Sequence, residues 1–73
     1  ERSEKRLARY LIDNVGSGFV LLRSHQEIAD ELGTAREVVS RQLKSFEQKE
    51  WLALSRNQVM FLNKEAIAVT AKG

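Results

Sequence analysis

The sequence predicts a small α+β fold built from three main helices, a small antiparallel sheet with a β-hairpin, and a short C-terminal helix. Three observations support it: two Ser/Thr-x-x-Glu patterns in close succession, a glycine between them, and two apolar runs flanking a polar tetrad near the C-terminus. A chain of 73 residues closes one core and forms one domain, residues 1 to 73. Hydrophobic residues at 42% and charged residues at 30% are the balance of a globular domain and not of a disordered tail. With no cysteine, neither a disulfide nor a thiolate metal site supplements the core, so stability must come from packing. No apolar run approaches the ~18 residues that span a bilayer, and no signal segment opens the chain, so a cytoplasmic location away from membranes is expected.

Each element follows from local chemistry. Over residues 2 to 15, Leu7, Ala8, Leu11, Ile12 and Val15 recur at spacings of three and four, the mark of one apolar stripe on a helix. Arg2, Lys5, Arg6 and Arg9 are expected to stay wet. Gly16, Ser17 and Gly18 break that helix, and the apolar run Phe19 to Leu22 reads as a strand. Ser24-His25-Gln26-Glu27 is a capping box, in which hydroxyl and carboxylate satisfy each other's free backbone N–H, so a second helix should start at Ser24. Ile28, Ala29 and Leu32 form its buried stripe. Gly33 then ends it, because glycine takes the left-handed conformation without a Cβ clash.

Thr34-Ala35-Arg36-Glu37 repeats the capping-box pattern, which predicts a third helix beginning one residue after the second stops and running to about Lys49 or Glu50. Helices joined so tightly must cross steeply. Leu52 to Leu54 and Val59 to Leu62 flank Ser55-Arg56-Asn57-Gln58, a hairpin in which Asn57 can adopt positive φ. Asn63 offers a further N-cap before Ala66, Ile67, Ala68 and Val69, a brief final helix. The order of elements is that of a winged helix-turn-helix.

Charge is unevenly placed. Residues 24 to 33 hold three acids and no Lys or Arg, whereas residues 34 to 49 hold four cations against two acids. A basic surface beside an acidic one fits polyanion contact, and a solvated face of mixed charge fits the counts equally well. The third helix is more informative. Advancing ~100° per residue from residue 36 sets Arg36, Ser40, Lys44, Glu37 and Arg41 between roughly 0° and 140°. Val39, Leu43, Phe46 and Ala35 fall between roughly 260° and 340° on the same count. Burying the second group therefore presents the first to solvent. Arg can donate two bonds to guanine O6 and N7, and Glu can accept from the cytosine amino group, so the exposed set suits base reading in the major groove. Glu37 would equally complete the Thr34 capping box, and the two roles are compatible.

His25-Gln26-Glu27-Ile28-Ala29 with Gly33, followed by Arg36-Glu37-Val38-Val39-Ser40-Arg41 with Leu43, resembles the DNA-binding domain of the Crp/Fnr family of bacterial transcription regulators. The family is named for the cyclic AMP receptor and for the fumarate and nitrate reduction regulator. The likeness extends more weakly through the opening helix and the hairpin. It implies that Glu37 and Arg41 read bases. Arg36 matches the extra arginine of the Crp type, and Ser40 beside Arg41 matches the Fnr type, so an inverted repeat with TGTGA-like or TTGAT-like half-sites is implied. The expected base-reading set is Arg36, Glu37, Ser40 and Arg41, and phosphate contacts are expected from Ser24, His25, Gln26, Thr34, Lys44 and Arg56. Arg56-Asn57 stands where the family often has glycine, so Arg56 reads either as a phosphate contact or as a solvated loop residue.

Family members place a sensor domain and a dimerisation helix ahead of this segment, so the chain is expected to be a fragment. Its expected partners are double-stranded DNA, a second copy through the missing helix, and RNA polymerase. No cofactor or metal is expected in this segment. Two other classes of function are compatible with parts of the sequence. Catalysis would have to rest on His25, the only imidazole, and neither a nucleophile elbow nor metal-ligand spacing accompanies it, so no catalytic residue is expected. A winged helix that binds protein instead of DNA is the closer rival, because fold alone does not fix function. Trp51 and Phe46 could stack on single strands, but both follow core spacing.

Overall fold

The computed structural model describes residues 2–73, with α1 over Arg2–Val15, β1 over Val20–Leu21, α2 over His25–Leu32 and α3 over Arg36–Gln48. β2 then covers Leu52–Ser55, β3 Gln58–Phe61 and α4 Lys64–Lys72. Leu7, Ala8, Leu11 and Val15 of α1 are buried as their spacing requires, and Ile12 is half-buried at the edge of the stripe. The stripe is wider than predicted, because Tyr10 is buried too and its hydroxyl donates to the Glu31 carboxylate of α2 at 2.7 Å. Lys5 is half-buried where it was expected to be wet, while Arg6 and Arg9 are exposed.

Ser24 and Glu27 form the reciprocal cap, with the Glu27 N–H donating to Ser24 Oγ at 3.0 Å and the Ser24 N–H donating to Glu27 Oε1 at 2.8 Å. Gly33 closes α2 at φ 70°, and the N–H groups of Gly33 and Thr34 reach back to the carbonyls of Asp30 and Ala29. This use of Thr34 corrects the second capping box. Its backbone is taken up in finishing α2, so one more residue is needed before the chain can turn, and Ala35 becomes the N-cap of α3 with no side-chain hydrogen bond. Ala35 is extended, at φ −80° and ψ 145°, so helical counting does not apply to it and it is exposed, not buried. α3 stops at Gln48, slightly short of expectation. Glu50 takes φ 62°, and its N–H and that of Trp51 return to the carbonyls of Glu47 and Phe46.

The three strands lie in the order β1-β3-β2, all antiparallel. β1 is only two residues long, paired Val20 with Met60 and Leu21 with Val59, where a strand over Phe19 to Leu22 was expected. Strand alternation turns Leu21 inward and leaves Leu22 72% exposed, while Phe19, on the same parity as Leu21 but ahead of the strand, is 61% exposed. The hairpin has Arg56-Asn57 as its two-residue turn between the paired Ser55 and Gln58, and Asn57 adopts φ 56°. Asn63 caps α4 by accepting from the Ala66 N–H at 3.1 Å, and Ile67 and Ala71 bury that helix. α4 packs along α1 and is longer than the brief helix expected.

The elements are pinned by contacts distant in sequence. The Lys64 ammonium donates to the carbonyls of Gly16 and Gly18 and lies 5.1 Å from the Phe19 ring centroid. The Arg6 guanidinium donates to the Leu32 carbonyl, a cation at a helix C-terminus where it complements the dipole. Among the described residues no buried side-chain polar atom lacks a partner. Trp51 is half-buried, packed on Phe46 at 5.3 Å between ring centroids, with the Lys49 ammonium 4.7 Å from its ring centroid.

Candidate nucleic-acid interface

α3 divides as the sequence requires: Val39, Leu43 and Phe46 are fully buried, while Arg36, Glu37, Arg41 and Lys44 are exposed. The buried side holds the helix on the core and fixes its rotation, so the polar face is a consequence of packing. Ser40 differs from its neighbours. It is half-buried, and its Oγ lies 2.8 Å from Nδ1 of His25 at the first turn of α2.

The start of α2, the exposed side of α3 and the hairpin enclose an open cleft of about 640 Å³. Ser24, His25 and Gln26 line it from α2, Arg36, Lys44 and Glu47 from α3, and Leu54 through Asn57 from the hairpin. Six of the ten expected site residues are thus gathered around one cavity. Glu37 and Arg41 project from α3 outside it, and Ser40 reaches only His25. Thr34 is in the turn, half-buried and away from the cleft.

Within the cleft the Glu27 carboxylate occupies Ser24, and the Gln26 amide donates to Asp30 at 2.8 Å. The cationic groups are Arg36, Lys44 and Arg56, and Glu47 is the one carboxylate on the lining. His25 titrates below its ordinary value near 6.5, first because burial penalises its charged form, then because Arg36 and Lys44 repel a further positive charge. Both effects favour the neutral ring in the free domain.

Glu47 was not singled out from the sequence, although the same angular count puts it at roughly 20°, inside the polar arc. Its Oε2 accepts the backbone N–H of Leu54 at 3.1 Å. That contact ties the outer edge of β2 to the helix and sets the distance between α3 and the hairpin. Asn57 reaches the cleft because its left-handed backbone turns the hairpin tip there. Among the described residues no cluster of three His, Cys, Asp or Glu side chains could hold a metal ion, and no helix is long and apolar enough to cross a membrane.

Comparison with known proteins agrees with this fold. The family model for the Crp-like helix-turn-helix domain matches residues 5–69. A Crp/Fnr-family transcriptional regulator from Eubacterium rectale superposes with a TM-score of 0.89 at 29% identity, over 96% of this chain and 33% of that one. A CRP-family transcriptional regulator from Thermus thermophilus gives 0.87 at 28% identity, over 97% of this chain and 40% of that one. The catabolite activator protein of Thermus thermophilus gives 0.77 at 25% identity, over 97% and 33%. The chain thus spans between 33% and 40% of the length of these proteins. No curated protein gives a significant match.

Proposed function

Because the chain belongs to the Crp-like helix-turn-helix family, it is a DNA-binding regulator domain, and we propose that it reads double-stranded DNA by seating α3 in the major groove. The observation that supports this most is the opposition on α3, with three fully buried apolar side chains behind an exposed Arg, Glu, Arg and Lys. An α-helix with its side chains is about 10–12 Å across and the major groove is about 12 Å wide, so the 13-residue α3 can lie in it. Glu37 and Arg41 then stand at base edges, and the cleft beside them takes the phosphate backbone on Arg36, Lys44 and Arg56, with His25 as a neutral donor. Arg36, nearest the start of α3, is placed to serve either a base or a phosphate.

Arg41→Ala should weaken binding to a cognate duplex by about 1–3 kcal/mol and relax preference at one base pair, whereas Lys44→Ala should weaken cognate and random duplexes alike. Selection from a duplex library at two salt concentrations tests both. With two or three phosphates neutralised, a fourfold rise in salt should reduce affinity roughly ten- to fortyfold. Salt-insensitive binding with no enriched motif would overturn the proposal in favour of a protein-binding winged helix.

The paired form follows from symmetry. Two copies on an inverted repeat would place their α3 helices in successive major grooves about 34 Å apart. The full-length regulator, as a dimer acting with RNA polymerase and a sensor domain, is the setting in which this segment would work.

A further inference from the structure

A base-reading serine is useful only if its hydroxyl is aimed, and a serine hydroxyl rotates freely unless something holds it. Here a histidine from another helix does. Nδ1 of His25 and Oγ of Ser40 are 2.8 Å apart, joining the first turn of α2 to the polar side of α3. With Nδ1 so engaged, Nε2 is the ring's free nitrogen, on a residue that lines the cleft assigned to the DNA backbone. Resting on the reading of Ser40 as a base contact, we infer that His25 is the positioning residue for Ser40, and that the proton state of its ring decides whether Ser40 offers a base an acceptor or a donor.

The hydrogen-bond inventory works out in two states. A phosphate in the cleft accepts the Nε2–H of the neutral ring, which leaves Nδ1 as an acceptor. Ser40 then donates its only hydrogen to Nδ1 and turns lone pairs to the base, matching the amino group of cytosine or adenine. When the ring takes up a proton, Nδ1–H donates to Ser40 Oγ and the Ser40 O–H is released. It then matches thymine O4 or guanine O6. One proton on α2 thereby reverses the polarity of one contact on α3.

The charged groups around the ring bear on this exchange. Arg36 and Lys44 from α3 oppose protonation, Arg56 from the hairpin and Glu47 from α3 line the same cleft with opposite charges, and Glu27 on α2 is engaged in the Ser24 cap. Burial and the Arg36 and Lys44 cations favour the neutral ring in the free domain. Bound phosphates answer those cations and add negative charge beside Nε2, so the ring in the complex should protonate at a higher pH than in the free chain.

The test compares binding of the 73-residue chain to duplexes that differ only at the base pair where Ser40→Ala flattens the preference, at pH 8 and at pH 5.5, in low salt. Preference should move about fivefold from an amino-bearing edge toward a carbonyl-bearing edge as pH falls, the size expected of one neutral hydrogen bond. His25→Asn, which can still hold the Ser40 hydroxyl but does not titrate in this range, should keep a preference that pH does not move. Nitrogen-15 chemical shifts of His25 in the wild-type complex give a measure that needs no variant, and Nε2 should carry the proton at pH 8. A preference that depends on Ser40 yet is the same at both pH values, or an Nδ1–H tautomer at pH 8, overturns this inference and leaves the DNA-reading role intact. Failure of every duplex to bind removes both.

Discussion

At the scale of single residues, caps and one tyrosine carry testable weight. Ser24 is the side-chain cap of α2, and Ser24→Ala should lower stability by about 1 kcal/mol through the unsatisfied first-turn N–H groups. Thr34→Ala should change stability by less than about 0.5 kcal/mol, since the residue caps nothing with its side chain. Chemical denaturation of the two variants side by side decides the matter, and equal losses would restore the second capping box. Tyr10 supplies a pH signature. Burial first, then its hydrogen bond to Glu31, push the phenol up to about 12 from an ordinary value of 10.0. A folded-state value above the unfolded one means the contribution is complete below pH 10 and is lost as pH rises through about 12. Tyr10→Phe should flatten that alkaline decline, read by melting temperature across the same range.

At the scale of elements, the relation between α3 and the hairpin matters most. β2 is an edge strand: one side pairs with β3, and the Leu54 N–H on the other side would face solvent without Glu47. Glu47→Ala should therefore free the hairpin relative to α3 while leaving the helix on its buried stripe. Amide exchange should accelerate locally at Leu54 and its hairpin neighbours, with little change in α3. Uniform acceleration across the chain would instead make Glu47 a determinant of global stability. Such loosening would widen the cleft and weaken the proposed phosphate contact of Arg56 more than the proposed base contact of Arg41.

At the scale of the whole molecule, dimensions constrain assembly. The domain measures 26 × 26 × 22 Å, whereas half-sites on an inverted repeat stand about 34 Å apart. Two copies so placed would meet by little more than side chains, far short of the roughly 1,200 Å² that a stable specific interface buries. The 73-residue chain should accordingly elute as a monomer and bind a palindromic duplex with little cooperativity. Joining two copies with a flexible linker that can span the half-sites should raise affinity for the palindrome by about a hundredfold or more, through effective concentration alone. A tight dimer in gel filtration would contradict this.

The amino-acid order alone determined the helices, the glycine stop after α2, the left-handed Asn57 and the two opposed faces of α3, because each depends on side chains within one or two turns of each other. The same residues carried the resemblance that the family match bears out. Only tertiary structure decided that Thr34 would finish α2 instead of starting α3, that Tyr10 would meet Glu31, that Glu47 would brace Leu54, and that His25 would hold Ser40. Those outcomes turn on how steeply one helix leaves another and on which carbonyls and amides are left free at the junction. Helical periodicity sets an angle about one axis, and it holds no information about the angle between two.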